Sequence, residues 1–209
     1  GDGVTRTLAN NIAMIWDTTI AGSSDLIFNG TMTSSDSRTI TNNNSGTTTF
    51  ANINLSNNAT DRTLGFAGTG NTVISGVIAN GGTSTTSGII KTGSGTLTLD
   101  GNNTYGGTTT LTAGTIEVGH NNALGTGVLL LNGGTLQGDG VARTLANDVT
   151  LAANSIIGGT SALQFDGTFG NLSANRDLTV NNSGTTTFGN IDISDSATTR
   201  QLRFLGTGD

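Results

Sequence analysis

The sequence repeats itself over a long distance, and this constrains the fold more than any other feature. Gly-Asp-Gly-Val at residues 1–4 returns at residues 138–141, and Arg6-Thr-Leu-Ala-Asn10 returns as Arg143-Thr-Leu-Ala-Asn147. Asn43-Asn-Ser-Gly-Thr-Thr-Thr-Phe50 returns as Asn181-Asn-Ser-Gly-Thr-Thr-Thr-Phe188. The offset grows by one between these pairs, so a one-residue insertion falls opposite residues 31–38. A long repeat of short β-like runs marks a solenoid, in which each unit buries its apolar side only against its neighbours. Residues 1–209 therefore read as one continuous solenoid, with 1–137 a first long repeat and 138–209 part of a second. The second copy breaks off at Gly206-Thr-Gly-Asp209, where the first reads Gly68-Thr-Gly-Asn71 and continues. This predicts a window on a longer array.

Composition separates a solenoid from a disordered chain. Of 209 residues, 33 are Gly, 40 Thr and 24 Asn, while Pro and Cys are absent and 11% are charged. Disorder favours Pro and charge over β-branched residues, whereas Thr, Val, Ile and Leu runs closed by Gly and Asn favour strands with tight turns. An apolar fraction of 33% suits a narrow interior column. The net charge of −6, with Lys91 the only lysine, argues against nucleic acid or an anionic membrane as partner. No apolar run is long enough to span a bilayer, and no signal peptide is recognised. The absence of cysteine excludes disulfides and thiolate metal sites.

The clearest rhythm lies between residues 93 and 138. Gly95-Thr-Leu-Thr-Leu99, Gly107-Thr-Thr-Thr-Leu111, Gly114-Thr-Ile-Glu-Val118, Gly127-Val-Leu-Leu-Leu131 and Gly134-Thr-Leu-Gln137 each read as a turn followed by a strand. Two such strands recur about every 20 residues, the length of one β-helix coil. Elsewhere the rhythm loosens: the step from Phe28 to Phe50 exceeds this length, and the step from Phe50 to Phe66 falls short of it. The expectation is nine to eleven coils, a rod on the order of 50 Å long. Thr7 to Trp16, the nearest helix candidate, reads as strand because its second copy alternates Val149-Thr-Leu151.

The repeat also sorts residues by role. Phe28, Phe50 and Phe66 pair with Phe165, Phe188 and Phe204, and they are expected to stack in the interior. Arg6, Arg38 and Arg62 pair with Arg143, Arg176 and Arg200, and they are expected at coil edges on carbonyls or aspartates.

Residues 91–136 carry a recognisable text. Lys91-Thr-Gly-Ser-Gly-Thr-Leu-Thr-Leu-Asp100 is followed by Asn103-Thr-Tyr-Gly-Gly107, then Ala113-Gly-Thr-Ile116, Asn122-Ala-Leu-Gly125 and Leu131-Asn-Gly-Gly-Thr-Leu136. This resembles the passenger-associated β-strand repeat of bacterial autotransporters and other large bacterial exoproteins. The resemblance implies a right-handed parallel β-helix outside the cell, often a stalk, with a repeat that assists secretion.

Little in the chain points to chemistry. Polysaccharide-cleaving β-helices need paired carboxylates on one face, and here Glu117 stands alone with thirteen aspartates. Asp192 and Asp195 lie close, but Asn54 and Asn57 take their places in the first copy. His120 is the sole histidine and reads as a surface turn residue. The Asp-Gly pairs at 2, 100, 139 and 166 read as turns rather than calcium ligands. Glycosylation triplets begin at Asn29, Asn43, Asn54, Asn58, Asn102, Asn171 and Asn181, as chance provides in such a composition. Thr47–Thr49 and Thr108–Thr110 could form a hydroxyl array, although strand propensity and cross-strand packing suffice to explain them. No catalytic, cofactor-binding or metal-binding residue is assigned, and no cofactor or enzymatic activity is expected. The expected function is a structural segment of an extracellular or cell-surface stalk or self-assembling filament, stacking on itself through its ends. The alternative is an adhesin passenger that holds a surface or matrix glycan.

Overall fold

The computed structural model describes residues 3–170, 174–194 and 200–208. It is all-β and helix-free among them, with parallel strands stacked as a solenoid of about nine turns and about 22 residues per turn. Strand spacing makes this a rod roughly 43 Å long.

Each coil passes three positions in a fixed order. On the first face Arg6–Leu8 lies under residues 26–28, followed by 48–50, Thr72–Ile74, Thr96–Leu99, Thr115–Val118, Thr135–Gly138, Ser155–Gly158, Arg176–Val180 and Leu202–Leu205. On the second face Ile12–Met14 lies under residues 32–34, then 53–54 and Ile78–Ala79. The ladder lapses there and resumes with Arg143–Leu145, residues 163–165 and 186–188. The third face runs unbroken from Thr18–Gly22 through Arg38–Asn44, Thr63–Ala67, Gly88–Lys91, Thr109–Leu111, Leu129–Leu131 and Val149–Leu151 to residues 169–170 and 191–192.

Three faces replace the two strands per coil that the sequence rhythm suggested. The register also explains the uneven phenylalanine spacing. Phe28 and Phe50 are partners one coil apart on the first face, whereas Phe66 lies on the third, between Ile40 and Lys91. The short step from Phe50 to Phe66 is thus two faces of a coil rather than a whole one.

Period-2 alternation fills the column. Leu97, Leu99, Leu111, Ile116, Val118, Leu129, Leu131 and Leu136 all point inward and are fully buried, while the residues between them face water. Outward threonines keep β-branched strand propensity while presenting a hydroxyl to solvent. Gly114, at φ +70°, turns a corner where a Cβ would strike the Gly93 carbonyl and the Lys91 ammonium.

The two sequence copies do not lie on the same face. Arg6–Leu8 is on the first face, and its copy Arg143–Leu145 is on the second. Likewise Ile12–Met14 on the second maps to Val149–Leu151 on the third, and Thr18–Gly22 on the third maps to Ser155–Gly158 on the first. Six ladder steps lead from Arg6–Leu8 to Thr135–Gly138, and Arg143–Leu145 is the next strand round. One long repeat therefore advances six and one-third turns, in keeping with about 22 residues per turn.

Candidate functional surfaces

The repeated aromatics and arginines serve the coil. Phe28 and Phe50 stack at 4.8 Å between ring centroids and Phe165 and Phe188 at 5.3 Å, both pairs nearly parallel. Phe204 tilts against Phe188 at 5.4 Å at the exposed end. Phe169, which stands where the first copy has Met32, packs edge-on against both Phe165 and Phe188. Arg143 grips Asp139 with two hydrogen bonds of 3.0 and 2.5 Å, which holds the carboxyl below its usual range. Arg62 donates to the Ser56 hydroxyl, to Asp36 and to the side-chain oxygens of Asn57 and Asn58. Arg38 lies 3.5 Å from the Asp36 carboxylate, and Arg176 donates to the Asn175 carbonyl.

Asparagine and aspartate do more than shape turns. At coil corners a side-chain oxygen accepts the backbone N–H of the residue one coil further on. Asn11 takes that of Thr31 at 2.9 Å, Asp17 that of Thr39 at 2.9 Å, Asp25 that of Thr47 at 2.8 Å and Asn71 that of Thr96 at 3.1 Å. Where the strand leaves its ladder, the side chain thus satisfies an amide that the next coil would otherwise leave open. These bonds recur between copies on rotated corners: Asp148 to Thr168 matches Asn11 to Thr31, and Asn154 to Asp177 matches Asp17 to Thr39. Inside the column, Asn44 donates to the Ser24 carbonyl and Asn182 to that of Ser161, each at 2.8 Å. Turn chemistry alone could not reveal this ladder, because it depends on which residues the coil length brings into register.

The coils between residues 88 and 138 carry a different interior. Where the second-face ladder lapses, Asn103 bridges three coils, accepting from the Ile78 amide at 2.7 Å and donating to the Ala123 carbonyl at 2.6 Å. Tyr105 is fully buried; its hydroxyl lies 2.6 Å from that of Thr109, which donates onward to the Leu124 carbonyl. Burial raises the phenol's pKa. Gly125, at φ +66°, leaves room for the Tyr105 ring. Lys91 is buried between Phe66 and Leu111 and donates to the Gly93 carbonyl; desolvation pushes its pKa down to about 8.

The remaining candidates are dispersed. Burial, then Asp139 and Glu117, raise the Asp100 pKa, while Glu117 accepts from Thr98 and Gln137 along the first face. Among the described residues, no group of three His, Cys, Asp or Glu side chains could hold a metal ion. His120 sits in a corner turn and accepts from the Asn122 amide at 3.0 Å. Asp192 is held by Ser194, while Asp195, Asp2 and Asn171 lie outside the described residues. Asn43, Asn54, Asn58 and Asn102 all take part in intercoil or loop hydrogen bonds. Thr48 and Thr109 point inward, so neither threonine triplet presents a continuous hydroxyl row.

Fold and interior together define a parallel β-solenoid stapled by corner side chains and an apolar column. Residues 89–118 match the family model of the passenger-associated-transport-repeat, within the coils where the recognised motif lies. No curated protein and no solved structure matches the chain.

Proposed function

We propose that this chain is a structural, non-catalytic segment of an extracellular or cell-surface bacterial β-solenoid, serving as a stalk or self-assembling filament. The observation that carries this reading is the absorption of the repeated side chains into coil-to-coil contacts. Ladders on the first and third faces run nearly the length of the rod, and the phenylalanines, arginines and corner asparagines common to both copies hold coils together. A passenger-type repeat on such a rod supports a place outside the cell.

In the filament reading, the terminal coils of separate copies stack on one another. Leu8 and Ile15 are exposed at one end and Ile191, Phe204 and Leu205 at the other, beside strand edges that a further coil would extend. A coil from the same chain or a second copy would cover apolar surface and pair open amides there. Head-to-tail contacts of this kind propagate rather than close. Electron microscopy of the purified protein tests the filament. Smooth filaments of indefinite length are expected, and discrete short rods that stay monomeric would rule out self-assembly.

A further inference from the structure

Comparing the two copies separates what the coil requires from what has been added to it. The corner before Arg38–Asn44, between the second and third faces, returns one face further round before Arg176–Val180, between the third and first, and each is built around its arginine. The second copy has Ala153 and Ala174 where the first has Trp16 and Asp36. The matching bonds Ser37 to the Thr63 amide and Asn175 to the Gln201 amide confirm that alignment. The fold thus forms this corner with alanine at both positions, and a tryptophan and a carboxylate are extras.

Those extras converge on the surface. Trp16, the only tryptophan, is 72% exposed, and the Arg38 guanidinium lies 5.7 Å from its ring centroid. With Arg38 over one side, that exposure leaves the rest of the indole to solvent in the free rod, at the same end as Ile15, so that a sugar and an incoming coil would compete for this surface. Asp36 reaches Arg38 at 3.5 Å and Arg62 at 3.1 Å, yet its side chain is 59% exposed, against 22% and 9% for the arginines. Asn57 and Asn58 bond Arg62 through their oxygens.

We propose that the Trp16–Asp36 corner binds a neutral oligosaccharide, the indole packing on a sugar's C–H face while Asp36 and the neighbouring amides meet its hydroxyls. The two guanidiniums fix the carboxylate and are themselves largely covered, which favours an uncharged ligand over an anionic one. Stacking on one rigid aromatic, with a pre-positioned acceptor beside it, orders few side chains on binding. This goes beyond the structural role: a stalk does not require the site, and losing the site would leave the stalk intact.

The emission of the single tryptophan reports the event directly. Titration with glucose-based and N-acetylglucosamine-based oligosaccharides is expected to give a saturable change that survives about 0.5 M salt. Immobilised glycan then allows comparison with Trp16→Ala and Asp36→Ala, each expected to weaken binding about tenfold. Both should keep the wild-type circular dichroism, and Trp16→Ala the wild-type Tm, since the second copy folds with these alanines. Absence of any saturable response, equal binding by the variants, or a response confined to cationic ligands such as choline would overturn the proposal.

Discussion

Residues shared by the two copies of the long repeat fold onto different faces, and several keep the same partners. Asn44 and Thr48 meet under the Ser24 carbonyl at one corner, and Asn182 and Thr186 meet under that of Ser161 at the next corner round. The three faces are therefore interchangeable environments, and a sequence unit is committed to a coil position only by what precedes it. The copies also differ in depth within the stack. Phe28 lies in the second coil, with only the exposed Leu8 coil beyond it, and is half-buried, whereas its counterpart Phe165 lies deeper in the stack and is fully covered.

That contrast gives the largest expected effect. Phe165→Ala opens a cavity bordered by Phe169 and Phe188, and it should cost about 4 kcal/mol in denaturant unfolding. Phe28→Ala removes an equal volume where the end coil can relax or fray, and about 2 kcal/mol is expected. Equal losses would show that the end coils are packed as firmly as the interior.

The coils without a second copy offer a pH-dependent effect of the next size. Lys91 is pushed down to about 8 by burial, below its value in the unfolded chain, so the unfolded state holds the extra proton between the two. Stability should therefore rise as pH rises from about 8 towards 10, by on the order of 3 kcal/mol. Lys91→Met fills the site between Phe66 and Leu111 without the charge, and it should be most stabilising near pH 7, with the gain shrinking by pH 10. A pH-independent gain would mean that the ammonium is well solvated in the folded state. Raised by burial, the Tyr105 phenol opposes the trend only at the alkaline limit.

Legibility followed local periodicity. Between residues 93 and 138 the coils are short and even, and Gly-Thr-Leu and Gly-Thr-Ile mark the first face plainly. The second face escaped notice there because Asn103, Tyr105, Ala123 and Leu124 form no alternating strand pattern, although all four are buried. In the flanks the coils lengthen, as between the ladder partners Arg38 and Leu64, and the corner insertions hide the period. Repetition showed which residues belong to the structure but not their face, because its period is not a whole number of turns. The Trp16 corner was missed for a related reason: a lone tryptophan gains meaning only when Arg38 and Asp36, one coil later, stand beside it.

Interchangeability of the faces makes the smallest prediction the most discriminating. Asn44→Ala and Asn182→Ala each remove one buried amide that donates to a carbonyl of the preceding coil and lies within reach of a threonine hydroxyl. Each should cost about 1–2 kcal/mol, since the stranded carbonyl stays desolvated. The two losses should agree within about 0.5 kcal/mol, and the double variant should lose their sum, because the sites are many coils apart. A difference much larger than that would mean that the faces are not equivalent, and that the one-third turn between copies changes the environment of every residue they share.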